Sequence, residues 1–398
     1  MQTCGADCAK KREELFGFID GKREEMLAFW KELVNHEGRY DEVENLREVA
    51  AFLKKGFEEA GFKCELVETG SEFAPVLTGV LGAERKGAPV LFTGHYDTVF
   101  KKGTYGDNPF RIENGRAYGP GVLDMKGGIA ISLLCAMALN HVGFDSRPIR
   151  ISYAGDEEGD RTVAPNNTVK LLNESSKGCI FAFNMETGVA DGGVCIGRKG
   201  AADYVVTVKG VAAHPGNAFA KGRNAIEEMA HKILEIQRLT PEDLSYTVSV
   251  DLIEGGVSSN TIPDRCQIRI DTRANTNKDA AHIKESIEKI CAKTYIEGTS
   301  TEVTQEGTFP PYETTDGVMK LYGHLVASAE KYGLAVPSKS HLGGASDASR
   351  IDAPVLCSCG VPGSGNHTSS EYADVEGFFE RAKLLCAAIL EADSFAEA

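Results

Sequence analysis

The chain has 398 residues, 42% of them hydrophobic, enough for two compact domains with cores of their own. Its formal net charge of −15 argues against nucleic acid as a partner, since phosphate backbones require clustered cations. No stretch approaches the roughly 20 apolar residues of a membrane span, and the segment from Met1 to Lys11 lacks the apolar core of a signal peptide, so no membrane partner and a cytoplasmic location are expected.

From about residue 12 to 60, apolar positions such as Leu15, Phe18, Met26, Trp30, Leu33, Leu46, Val49 and Leu53 recur at helical spacing up to Gly61, which predicts two helices. Short apolar runs then alternate with helices. Strands are expected at Val76–Leu81, Val90–Phe92, Ile149–Ala154 and Cys179–Phe183, with helices at Gly127–Leu139 and Val169–Asn173. Continuous apolar strands between helices indicate an α/β domain whose mixed, mostly parallel sheet is flanked by helices.

Near Gly200 the pattern changes to two-residue alternation (Tyr204, Val206, Val208). It continues with a helix at Asn224–Leu239, strands at Thr247–Ile253 and Arg265–Asp271, and a helix at Asp279–Ala292. This βαββαβ order reads as a smaller α+β, ferredoxin-like domain. The first pattern returns with a helix at Gly317–Tyr332, a strand at Pro354–Cys359 and a final helix at Val375–Leu390. Residues 200–311 are therefore expected to interrupt a domain built from residues 1–199 and 312–398.

The 11 cysteines lack the dense spacing of a disulfide scaffold and read as ordinary thiols. Cys4 and Cys8 have no second pair with which to bind a metal, and Cys357 and Cys359 read as structural residues of a strand.

Acidic and imidazole residues follow the strands. Val90–Gly94 runs into His95-Tyr96-Asp97, Ile149–Ala154 into Asp156-Glu157-Glu158, Phe181–Phe183 into Glu186, and Pro354–Leu356, after a Gly-rich loop, into His367. Ligands of α/β sheets bind beyond the carboxyl ends of strands, so these groups should share one edge. A lone His near a strand end is ordinarily structural and an adjacent acidic pair ordinarily solvated; the joint occurrence shifts the reading toward a nitrogen and oxygen ligand set. Such a set suits zinc, with cobalt or manganese as substitutes. Asp97, two residues from His95, can hold the second imidazole nitrogen and orient the ring. Asp124, in a Gly-rich turn before a helix, is equally readable as a helix cap.

His95-Tyr96-Asp97-Thr98-Val99, Gly119-Pro120-Gly121 with Asp124-Met125-Lys126-Gly127-Gly128, Asp156-Glu157-Glu158-Gly159, Glu186-Thr187 and the Gly-rich segment ending in His367 stand in order between about residues 75 and 375. In these motifs the chain resembles the co-catalytic zinc metallopeptidases that include glutamate carboxypeptidase, aminoacylase and succinyl-diaminopimelate desuccinylase, most of all the bacterial glutamate carboxypeptidases. The resemblance implies that Asp124 bridges two zinc ions, that His95 and Glu186 complete one and Glu158 and His367 the other, and that Glu157 is the general base. Two ions about 3.5 Å apart can share an acidified bridging water while one carboxylate stays free to move its proton.

The resemblance also implies that the inserted domain is a lid and dimerisation domain. His214, in Ala212-Ala213-His214-Pro215, would stabilise the oxyanion from the partner subunit of a homodimer, and Asn260 and Arg273 would contact substrate. From the residues alone, His214 is equally an exposed turn histidine and Arg273 an exposed strand-end arginine. The Gly343–Ala348 and Gly360–Asn366 loops would shape the pocket, with Asp347 also readable as a helix cap. Glu at position 186 leans toward carboxypeptidase and acylase members, hence a peptidyl or N-acyl amino acid with a free carboxylate as substrate. An aminopeptidase or dipeptidase remains the alternative, and a catalytically silent binding paralogue is a rival from another class.

Overall fold

The computed structural model describes residues 6–70, 72–159 and 167–397, with side chains from residue 10. Cys4 and the side chain of Cys8 lie outside the described residues. Two compact units are resolved: residues 1–196, 314–341 and 346–398, and residues 197–313 with 342–345.

The first unit opens with three helices rather than the expected two: α1 (Ala6–Gly21), α2 (Arg23–Asn35) and α3 (Val43–Glu59). The apolar spacing runs through the break at Lys22, which follows a glycine, a residue with the flexibility to end a helix. Strands β1 (Lys63–Val67), β2 (Val76–Leu81) and β3 (Val90–His95) follow, then α4 (Gly127–His141), β4 (Ile149–Ala154), α5 (Asn167–Ser176) and β5 (Phe181–Asn184). The half-exposed β1 has no apolar run and escapes a reading built on such runs.

In the second unit β6 (Gly200–Lys209), α6 (Ala225–Ile236), β7 (Tyr246–Gly255), β8 (Arg265–Ala274), α7 (Asn277–Cys291) and β9 (Ser300–Phe309) follow in order. The chain returns to the first unit with α8 (Asp316–Tyr332), β10 (Val355–Leu356) and α9 (Val375–Leu390). Of the strand expected over Pro354–Cys359, only β10 pairs in register with β5; Cys357 then bridges antiparallel to Cys195, Ser358 takes a left-handed φ of 57°, and Cys357 and Cys359 are buried structural thiols.

The main sheet has the order β1-β2-β4-β3-β5-β10. β1, β2 and β4 pair antiparallel, whereas β4, β3, β5 and β10 are mutually parallel. Every residue of β3 and β5 is buried, as expected for central strands covered on both faces. Helix α4 packs on α9, α1 and α2, and Trp30 stacks on Phe378 with ring centroids 5.0 Å apart. Although no such stretch is expected from the sequence, Val122–His141, the turn before α4 together with α4, is long and apolar enough by length and composition to cross a membrane; it is 94% buried, and α4 serves as a core helix. Gly128, in its first turn, is required by close approach, because a Cβ there would meet the Met185 carbonyl at 2.0 Å.

The second unit is a four-stranded antiparallel sheet of order β7-β8-β6-β9. Tyr204, Val206, Val208, Ile268 and Ile270 pack with Met229 and Ile236 of α6 and Ile283, Ile287 and Ile290 of α7. Asn224 caps α6 through the Ile226 and Glu227 amides, and Thr276 caps α7 through the Asp279 amide. On α6, Glu228 and Lys232 form a fully buried ion pair at 2.9 Å; Glu228 also accepts from the Tyr295 and Ile296 amides, and Lys232 donates to the Cys291 carbonyl at 3.2 Å.

Despite burial, the Lys232 ammonium and the two amides hold the Glu228 carboxyl below its usual range. A depressed carboxyl stabilises the fold above its unfolded value, and that contribution fades as pH falls through the folded value. Replacing Glu228 by Ala strands a buried ammonium. We expect a loss of about 3–5 kcal/mol in urea unfolding at neutral pH, with the gap to wild type narrowing toward acid.

Candidate metal centre

Because β3, β4, β5 and β10 run parallel, their carboxyl ends share one edge. His95 is the last residue of β3 and pairs with Ala154 at the end of β4; the loop after β4 carries Glu157 and Glu158, and Glu186 lies two residues beyond β5. Gly94 precedes His95 at φ 153°, where a Cβ would strike the Met125 sulfur, and that sulfur accepts the His95 amide at 3.2 Å.

Asp124 lies in the turn before α4 with φ −113° and ψ 96°. The cap position of α4 belongs to Lys126, so the helix-cap reading of Asp124 does not hold. Its carboxylate instead faces two imidazoles, with Oδ1 at 3.2 Å from His95 Nε2 and Oδ2 at 3.2 Å from His367 Nε2. Glu186 stands 3.7 Å from His95 Nε2, and Glu158 stands 3.0 Å from His367 Nε2. Two overlapping donor groups result, His95-Asp124-Glu186 and Asp124-Glu158-His367, each with its ligand atoms within 4.8 Å of one another.

The donors fit divalent metal. Asp124 Oδ1 is buried and, though 3.2 Å from His95 Nε2, makes no well-directed hydrogen bond among the described residues, and the carboxylates outnumber the imidazoles. Burial pulls the His95 proton affinity down, yet the Asp124 and Asp97 carboxylates hold it well above the ordinary histidine value. Hydrogen bonds to Asp124 and Glu158 push His367 up to about 10. Burial and the neighbouring Glu186 charge raise the Glu157 carboxyl well above its usual range. The pocket therefore gathers positive charge, first as protons.

Around the donors stand residues that hold them. Asp97, fully buried, lies 3.3 Å from His95 Nδ1 and accepts the Glu157 and Glu158 amides at 3.2 and 2.9 Å, so one carboxylate orients the ring and the acidic loop. Three further anchors escaped the sequence reading. Asn184 accepts the Glu186 amide at 3.2 Å, Asn366 donates to Asp124 Oδ2 at 3.3 Å, and Glu371 accepts backbone amides of the Asp124 turn. Adjacency to Glu186 and His367 was the available signal for the two asparagines; nothing local marked Glu371.

His214, Asn260 and Arg273 belong to the second unit and are not part of these donor groups. His214 is exposed, and its Nδ1 accepts the Gly216 and Asn217 amides, both at 3.1 Å, which places the proton on Nε2 as a donor. Asn260 is exposed and accepts from the Ser258 hydroxyl. Arg273 already forks onto Asp271, at 3.1 Å from Nε and 2.7 Å from Nη2, so a substrate carboxylate would have to displace that partner.

Peptidase family M20/M25/M40 matches residues 91–391. Carboxypeptidase G2 of Pseudomonas sp. (strain RS-16) is 27% identical over 98% of this chain and 94% of its own length. A succinyl-diaminopimelate desuccinylase of Methylocella silvestris is 30% identical over 82% of this chain and 88% of its own. Aminopeptidase PepT from Bacillus cereus shares the fold with a TM-score of 0.77 at 24% identity, covering 93% of this chain and 99% of its own.

Metal entering this pocket must displace protons held by His95 and His367. Divalent metal affinity is therefore expected to rise with pH through the neutral range, with proton release measurable by calorimetry in buffers of different ionisation enthalpy.

Proposed function

Since the chain belongs to peptidase family M20/M25/M40 and is a metal-dependent hydrolase, we propose that it cleaves the amide bond of a peptidyl or N-acyl amino acid bearing a free carboxylate. The observation that carries this reading is the pair of donor groups sharing Asp124, with Glu157 beside them but in neither group. His95, Asp124 and Glu186 would hold one zinc ion and Asp124, Glu158 and His367 the other, with cobalt or manganese as substitutes. When bound, such ions supply Lewis acidity toward the scissile carbonyl and toward a water molecule.

The chain's own groups do the rest. Glu157, kept off the ligand set and biased by burial toward holding a proton, takes a proton from the attacking water and delivers it to the leaving nitrogen. Asp97 keeps His95 and the acidic loop in register for this transfer. The names of the relatives, a carboxypeptidase and a desuccinylase, support a substrate with a carboxylate beside the cleaved amide. Asn260 and Arg273 would contact it.

In this reading residues 200–311 form a lid and dimerisation domain. His214, with its proton on Nε2, would donate to the oxyanion of a substrate held by a second copy of the chain. The edge strand β7 supports a homodimer, since it exposes Leu252 and Ile253 at 59% and 57%.

Glu157→Ala is expected to retain its metals by elemental analysis while turnover falls about 10²–10⁴-fold, the usual worth of a general base; retained turnover would remove Glu157 from that role. Hydrolysis of N-acylated amino acids in preference to N-free dipeptides supports the carboxypeptidase or acylase reading over an aminopeptidase. Refolding a mixture of Glu157→Ala and His214→Ala chains should recover activity that neither has alone, because a mixed dimer rebuilds one intact site. No recovery would place His214 outside the partner's site.

A further inference from the structure

Asp124 must present two oxygens in two directions from a turn that is not regular helix, and its own side chain cannot secure that turn while serving as ligand. The turn is held from a segment 247 residues away. Glu371, 4% exposed, accepts the Leu123 and Asp124 amides on Oε1 at 2.8 and 3.0 Å and the Gly121 amide on Oε2 at 3.3 Å. Gly121 sits at φ 71°, where a Cβ would come within 3.0 Å of the Asp124 carbonyl, so the turn is tight as well as anchored.

The segment that supplies Glu371 also supplies the second face of the site. His367, four residues earlier, meets Asp124 Oδ2, and between them the Glu371 amide bonds to the Thr368 carbonyl and the Thr368 amide to the Gly365 carbonyl. One short loop thus grips the backbone of Asp124 with a carboxylate and meets its side chain with an imidazole.

We propose that Glu371 is a positioning residue for the metal centre: its carboxylate presets the Gly121–Asp124 turn so that Asp124 faces His95 and His367 before any ion arrives. This rests on the reading of Asp124 as the shared metal carboxylate. A role confined to stability would lower the melting temperature and leave metal affinity alone; a positioning role moves affinity and ligand geometry.

The test uses full-length protein and Glu371→Gln, which keeps the size but offers one acceptor oxygen instead of two. Hydrogen exchange on the metal-free protein is read by mass spectrometry over the peptide Gly119–Lys126, and Co²⁺ binding is read by chelator competition and by the visible spectrum of the bound ion. Expected are faster exchange confined to that peptide, Co²⁺ affinity lower by about 10- to 100-fold, and an altered spectrum. Should the Gln variant not fold, Glu371→Asp, which keeps the charge but falls one methylene short, is read in the same way.

Unchanged exchange overturns the proposal, as does faster exchange with wild-type affinity and spectrum. Wild-type protein that takes up no Co²⁺ would sink the metal reading itself, and this role of Glu371 with it.

Discussion

The parallel pairing of β3 with β4 on one side and β5 on the other is the constraint from which the site follows. A parallel ladder sends every strand's carboxyl end to the same edge, so His95, the Glu157-Glu158 loop and Glu186 arrive together however far apart they lie in sequence. The same ladder buries β3 and β5 completely. An antiparallel β3 would have sent His95 to the opposite edge.

That convergence has an electrostatic cost. Asp97, Asp124, Glu158 and Glu186 crowd into a volume shielded from water, where like charges repel strongly. The protein offsets the repulsion by giving acceptors fixed donors: amides of the acidic loop for Asp97, His367 and Asn366 for Asp124, and turn amides for Glu371. The remaining excess is met by positive charge on the two imidazoles, which places affinity for protons and affinity for metal in direct competition.

The second unit follows a different logic. Its sheet is covered by two helices whose caps and buried Glu228–Lys232 pair define a small self-contained core. Its candidate functional side chains lie outside that core. His214 is held in one tautomer by two amides, whereas Arg273 is engaged by Asp271, so the first is already prepared as a donor and the second must exchange partners to bind a carboxylate.

By itself the sequence determined the class of fold, because apolar periodicity encodes burial, and its resemblance to a known family named a set of candidate donors whose side chains the structure brings together. It located β2 and β4 to the residue, and it picked out His95, Asp124, Glu158, Glu186 and His367. Only the tertiary structure decided how many helices precede the sheet, where the strand after Pro354 stops, and that Asp124 is not a cap. These depend on backbone angles that periodicity does not record. Only the tertiary structure, too, brought Asn184, Asn366 and Glu371 to their places: each acts on another residue's backbone or carboxylate, and for Glu371 the hydrogen bonds join segments nearly 250 residues apart, beyond the reach of any local pattern.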